Sequence, residues 1–172
     1  LVKQLVDMNN GKYLDANIEN GEKTDFCIGI AGYPEKHFES PNLECDLEYT
    51  KAKVEAGADY IVTQMFFDNK HYFEYVDQCR KAGINVPIVP GLKPVTKGYQ
   101  LNSLPRLFHV DIPEALTSEL NKAKGDKEKI RQVGIEWCIE QSKELKKKGV
   151  PCLHYYTMGD TSTIQKIAEA VY

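Results

Sequence analysis

Four short apolar runs, separated by stretches with helical periodicity, constrain this chain more than any other feature. The runs are Phe26–Ala31, Tyr60–Phe66, Pro87–Pro90 and Cys152–Tyr156, rich in β-branched and aromatic residues. Runs this short and this apolar predict strands buried within a sheet. Between them, Leu43, Leu47, Thr50 and Val54 share one helical face, and Gly57 follows as a left-handed stop. Tyr72, Val76 and Cys79 repeat the pattern, with Asp68 as N-cap and Gly83 as stop. A longer helix carries Ile130, Val133, Trp137, Cys138 and Leu145. Asp126 caps its start, and Lys146–Lys148 stand in its last turn, where cations suit the helix dipole and solvent. Gly149 and Pro151 end it, and a last helix carries Ile164, Ile167, Ala168 and Val171. Pro105 and Pro113 are expected to break residues 92–151 into two short helices ahead of the long one.

Strand–helix–strand alternation with apolar strands predicts an α/β fold whose parallel sheet is covered on both faces. Two architectures compete. An open doubly wound sheet of four strands leaves two bare edges to manage. A (β/α)8 barrel normally takes about 250 residues, so 172 residues with four strands supply only about half of one. A first residue of Leu1 is consistent with the half-barrel reading, which treats residues 1–172 as a single domain.

Composition removes several function classes. Lys+Arg 22 against Asp+Glu 25 gives a net charge of −3 with basic residues scattered, which argues against nucleic acid as the main partner. No apolar run approaches the roughly 20 residues of a membrane span, and LVKQLVDMNN lacks the features of a signal peptide. The 5 cysteines are odd in number and show no CxxC spacing. They read as reduced thiols packed on apolar faces of a cytoplasmic protein, neither disulfides nor a zinc site.

Parallel α/β folds bind ligands at the carboxyl ends of their strands. There this chain places Gly32-Tyr33-Pro34-Glu35-Lys36-His37, Gln64-Met65-Phe66-Phe67-Asp68, Gly91-Leu92-Lys93-Pro94 and Thr157-Met158-Gly159-Asp160. Flat aromatics mixed with hydrogen-bonding groups suit a planar heteroaromatic ligand. Gln64 stands out, because an amide within an apolar strand must be paired, either by a ligand or by a neighbouring loop. No GxSxG, HExxH, Walker A or GxGxxG is present. His37 near Glu35, Glu39 and Asp46 is a weak metal pattern, and no metal is expected. Lys93 after a strand has the position of a Schiff-base lysine but no sign of burial. His154, central in a strand, reads as a core histidine, whereas His71 and His109 read as surface groups.

AGYPEKH at 31–37, AGADYIVTQMFFD at 56–68, VPIVPGLKP at 86–94 and LHYYTMGD at 153–160 resemble the methylenetetrahydrofolate reductase family, as does IRQVGIEWCIEQSKEL at 130–145. The resemblance runs in order over roughly residues 25–172. It implies a (β/α)8 barrel of which this chain is the C-terminal half, strands five to eight, preceded by the end of helix four at Leu1–Met8. It implies FAD as cofactor and NAD(P)H-driven reduction of 5,10-methylenetetrahydrofolate to 5-methyltetrahydrofolate, in the one-carbon metabolism that feeds methionine synthesis. A homo-oligomer is expected.

By position, Tyr33 and His37 match flavin-lining residues of the family, and Asp46 and Lys53 match residues that hold the cofactor's ribose and phosphates. A carboxylate accepts from ribose hydroxyls and an ammonium offsets diphosphate charge. Gln64 matches the glutamine that hydrogen-bonds the pterin, Gln100 matches a second substrate-side glutamine, and Phe67 adds an aromatic wall. Tyr49 and Ala52 stand where some members offer flavin contacts. Some members carry a Tyr-Thr-Leu-Asn-Arg run whose arginine contacts substrate; here the run is Tyr156-Thr157-Met158-Gly159-Asp160. The family's general-acid glutamate and a flavin-side aspartate fall on earlier strands, outside this sequence. No catalytic residue is therefore assigned within the chain, and the chain by itself is expected to be inactive. The alternative is a non-catalytic half-barrel that binds or assembles with another chain. A weaker one is a different barrel enzyme working through Lys93.

Overall fold

The structure is a computed structural model that describes residues 1–15 and 17–172. Its elements are α1 (Val2–Asn9), β1 (Gly29–Gly32), α2 (Leu43–Glu55), β2 (Tyr60–Met65), α3 (Asn69–Lys81), β3 (Ile88–Leu92), α4 (Gln100–Phe108), α5 (Glu114–Lys122), α6 (Lys127–Lys147), β4 (His154–Tyr155) and α7 (Thr161–Val171). The 4 strands form one sheet in the order β1-β2-β3-β4, each pair parallel. Strands that neighbour one another in chain order, with no reversal, are consecutive strands of a (β/α)8 barrel; a doubly wound sheet reverses its order at a switch point.

Sequence signals set the element ends. Asp68 accepts from the Lys70 amide at 2.9 Å, and Asp126 accepts from the Glu128 and Lys129 amides at 3.1 Å, so both act as the N-caps their positions predict. Gly57 and Gly83 adopt φ of 108° and 81°, conformations that a Cβ resists. The strands are shorter than the apolar runs. Phe26 and Cys27 precede the ladder, and β4 retains only His154 and Tyr155. Pro105 does not break a helix. It lies inside α4, and the chain leaves that helix at His109, whose left-handed φ of 53° lets its amide return to the Pro105 carbonyl.

Helices α3, α6 and α7 cover one face of the sheet. Ile61, Phe66, Tyr75, Leu92, Leu145 and Ile167 form the core between them. Each such side chain contributes about 1.5–3 kcal/mol relative to exposure. A second cluster of Met65, Val95, Leu104, Leu116 and Leu120 lies beyond the strand ends, under α4 and α5. The opposite sheet face is not covered as expected. Along β2, fully buried residues alternate with half-buried Tyr60, Val62 and Gln64, so the strand has one packed and one accessible side. His154 belongs to this accessible side and is exposed, not a core histidine. Cys79 and Cys138 are buried on apolar faces as expected, but Cys27 and Cys152 are exposed, because each precedes its strand instead of lying within it. Among the described residues no helix is long and apolar enough to cross a membrane.

Candidate functional site

The loop after β1 supplies the site's first wall. Its anchor is Asp46, one turn into α2 and only 6% exposed. One Asp46 carboxylate oxygen accepts from the His37 amide at 3.1 Å, and the other accepts from the Ser40 hydroxyl at 2.9 Å. Lys36 reinforces the turn from within: at φ 74° it donates its Nζ to the His37 and Ser40 carbonyls. The loop so folded stands the Tyr33 ring edge-on to the His37 imidazole, centroids 4.5 Å apart. Burial, followed by the nearby Asp46 and Glu39 charges, raises the Tyr33 phenol above its ordinary pKa, so it stays a neutral donor.

Tyr33, His37, Asp46 and Lys53 line one open groove of about 1010 Å³, floored by the β1 backbone from Ile28 to Ala31 and flanked by α1 and α2. Lys53 lies two helical turns after Asp46, on the same α2 face. It joins no ion pair among the described residues, so its ammonium is available to a ligand anion. Tyr49 and Ala52 line the groove as well. Their small or planar side chains leave it open.

Gln64 sits on the accessible side of β2, where the pairing with β3 slips register between Val62 and Met65. Its side-chain oxygen accepts from the Met65 amide at 2.9 Å. The slip leaves that amide to be satisfied by a side chain, and the Gln64 oxygen does so while its NH2 remains a donor. Gln64 and Tyr33 meet in a narrow crevice bounded by Glu35, Phe108 and Val110. Tyr156 crosses above Gly91 to donate its hydroxyl to the Thr63 carbonyl at 2.9 Å, which a Cβ at residue 91 would prevent. Burial raises the Tyr156 pKa, as does the nearby Tyr33, so both phenols face this end of the sheet.

The remaining predicted residues lie apart. Gln100 is 8% exposed, and its side-chain oxygen accepts from the Thr96 and Lys97 amides at 2.7 and 2.9 Å, closing the turn into α4. It lines neither the groove nor the crevice. Phe67 is 1% exposed, packs in the second core and accepts through its carbonyl from the Trp137 indole at 2.9 Å. It borders a separate cavity of about 480 Å³ between α3, α5 and α6.

Asp160, where an arginine stands in some members of the family, caps α7 by accepting from the Thr163 amide at 3.2 Å. The same carboxylate lies 3.4 Å from Arg131, which also donates to the Ser162 and Thr163 hydroxyls. A guanidinium therefore reaches this rim from α6 instead of from the loop. Lys93 is buried, 7% exposed, and burial lowers its pKa against the raising influence of Asp160. Among the described residues no group of three or more His, Cys, Asp or Glu side chains could hold a metal ion.

The sheet order, the loop anchored by Asp46 and the groove between β1 and α2 define a parallel α/β protein with an open groove beside its first strand. The methylenetetrahydrofolate reductase family model matches residues 8–172, and the chain belongs to that family. It is 35% identical over 147 residues to a probable methylenetetrahydrofolate reductase (NADPH) of Caenorhabditis elegans, covering 85% of this chain and 22% of the relative. It is 36% identical over 137 residues to the 5,10-methylenetetrahydrofolate reductase of Escherichia coli strain K12, covering 80% of this chain and 46% of the relative. The chain thus spans less than half the length of these relatives. A solved structure of a Clostridium thermocellum protein, described as binding two copies of 5-methyl-5,6,7,8-tetrahydrofolic acid, superimposes with a TM-score of 0.55 at 18% identity, over 85% of this chain and 52% of that one. At that identity the likeness speaks for the fold.

Proposed function

We propose that this chain is the C-terminal half of the catalytic barrel of a flavin-dependent reductase that converts 5,10-methylenetetrahydrofolate to 5-methyltetrahydrofolate with NAD(P)H. Two things support the reading: membership of the reductase family, and the meeting of Tyr33, His37, Asp46 and Lys53 around one groove at the end of β1. FAD fits the donor set there. The groove offers a cation without a protein partner and a carboxylate with lone pairs still free. When bound, the flavin supplies a two-electron carrier between the nicotinamide and the folate.

The chain's own residues act by binding and orientation. Lys53 offsets phosphate charge, and Asp46 accepts from hydroxyls while it fixes the loop. Tyr33 and His37 present ring edges and donors to an in-plane heteroatom. Gln64, on the accessible side of β2, keeps its NH2 as a donor to a pterin. None of these residues has the position of a proton donor to the folate.

Half-reaction kinetics on the full-length protein test this proposal. Anaerobic NAD(P)H is expected to bleach the bound flavin, and methylenetetrahydrofolate is expected to restore its colour with formation of methyltetrahydrofolate. A purified protein that binds no flavin, or whose reduced flavin ignores the folate, contradicts it.

A further inference from the structure

Glu35 lies two residues from both Tyr33 and His37 but does not line the groove that they share. Its side chain is 11% exposed. One oxygen, Oε2, accepts from the Asp111 amide at 3.2 Å, across to the connection between α4 and α5. The other, Oε1, is sealed from water and has no hydrogen-bond partner; the His71 Nε2 of α3 stands 3.7 Å from it. A second contact joins the same two segments: the Phe38 ring stacks on His109, centroids 4.4 Å and planes 20° apart. His109 is itself held left-handed, a conformation costly for a residue with a Cβ unless its surroundings enforce it.

The surroundings of Glu35 argue for a neutral acid. From α3 it faces Asp68 and His71, and from the connection it faces Asp111 and His109. Within its own loop, the Lys36 ammonium is turned to backbone carbonyls and His37 is packed against Tyr33. A carboxylate with one buried oxygen unpaired, beside two other acids, costs several kcal/mol. A carboxylic acid places a hydroxyl on that oxygen and donates toward the imidazole.

We propose that Glu35 is the positioning residue of the β1–α2 loop: as the neutral acid it clasps the loop to the α4–α5 connection and to α3, and so fixes Tyr33 and His37 against the groove. The purpose assigned to the clasp rests on the flavin reading above; the clasp itself does not. Burial raises the Glu35 pKa from 4.5 to about 7; the hydrogen bond from the Asp111 amide opposes the rise, and the Asp111 and Asp68 charges add to it, so the neutral form is favoured on balance. A raised acid pKa makes the stabilisation complete below the unfolded value and removes it as pH climbs through the folded one. The clasp is therefore closed in mild acid and loosens as pH rises through about 7.

The test compares full-length wild type, Glu35→Gln and Glu35→Ala. The first readout is the hydrogen-exchange protection of the Asp111 amide in flavin-free protein between about pH 5.5 and 8.5. The second is flavin affinity by fluorescence over the same range. Wild-type protection is expected to fall as pH rises through about 7, with flavin affinity weakening about threefold or more in step. Glu35→Gln keeps an acceptor for Asp111 and a donor for His71, and carries no charge, so both readouts should become independent of pH at the acid wild-type level. Glu35→Ala should be unprotected and weak throughout. Asp111 protection that is equal in wild type and Glu35→Gln at every pH overturns the clasp. Protection that titrates while flavin affinity stays flat in all three proteins overturns the positioning role. Protection that titrates in a protein binding no flavin keeps the clasp and overturns the flavin reading instead.

Discussion

Asp46 holds the amide of His37 at 3.1 Å across a turn of loop, from a position 6% exposed in α2. Its second oxygen takes the Ser40 hydroxyl, so one carboxylate shapes the whole β1–α2 loop before any ligand arrives. Asp46→Asn retains one acceptor oxygen and should cost about 1–2 kcal/mol, and Asp46→Ala, which leaves two buried donors unpaired, about 2–4 kcal/mol. Urea denaturation of the full-length protein checks the order. The alanine variant should also show faster exchange at the His37 amide. Equal stability of all three proteins would show that the loop does not depend on Asp46.

Gln64 carries two separable tasks. Its oxygen serves the Met65 amide, and its NH2 is left as a donor on the accessible side of β2. Gln64→Glu preserves the acceptor and removes the donor. It is expected to slow reoxidation of the reduced flavin by methylenetetrahydrofolate about tenfold, the worth of one hydrogen bond, with NAD(P)H oxidation unchanged. Gln64→Ala should impair both half-reactions, because it also unpairs Met65. Equal losses in both half-reactions for the glutamate variant would make Gln64 a purely structural residue.

Gly134 lets α6 lie directly on the chain after β3. A Cβ there would overlap the carbonyl of Val95, a residue 1% exposed. The obstacle is backbone and cannot swing aside. Gly134→Ala should therefore cost about 3 kcal/mol despite alanine's better helix propensity. A melting temperature unchanged or raised would show that α6 and residue 95 are not packed as described.

The Asp160 cap has a pH signature. Its hydrogen bond from the Thr163 hydroxyl, then those from the Thr163 amide and Ser162 and the charge of Arg131, hold its pKa below the usual carboxylate value. A depressed acid pKa stabilises above the unfolded value and is lost as pH falls. Asp160→Ala is expected to cost about 1 kcal/mol at neutral pH, the typical worth of an N-cap. The difference from wild type should shrink in acid, measured as melting temperature from pH 7 downward to about 3. A difference that is constant with pH contradicts the cap.

The strands, the caps at Asp68 and Asp126 and the parallel order were legible because each rests on local pattern: apolar runs, capping side chains and glycine stops. The groove residues were legible chiefly through the family resemblance, which matched Tyr33, His37, Asp46 and Lys53 by position; the spacing of Asp46 and Lys53 alone says only that they share a helix face. What escaped depends on distant partners. Gln100 matches a substrate-side glutamine of the family, yet its oxygen closes its own turn on Thr96 and Lys97. Phe67 reads as a pocket wall, yet α6 buries it through Trp137. Arg131 and Asp160 lie 29 residues apart, and no local pattern joins them. Pro105 shows the converse. A strong local signal for a helix end lost to packing of Leu104 in the second core, and α4 runs on to Phe108 before the left-handed His109 ends it.

The central claim is that the groove beside α2 holds the flavin's phosphates through Lys53. Lys51 supplies the control, since it lies two residues away, paired with Glu55 at 4.0 Å on the exposed side of the same helix. Equilibrium titration of FAD into flavin-free full-length protein, followed by fluorescence, decides the matter. Lys53→Met should raise the Kd about tenfold or more, and Lys51→Met should leave it within about twofold of wild type. Equal affinities for wild type and Lys53→Met, or equal losses for the two variants, would contradict the account.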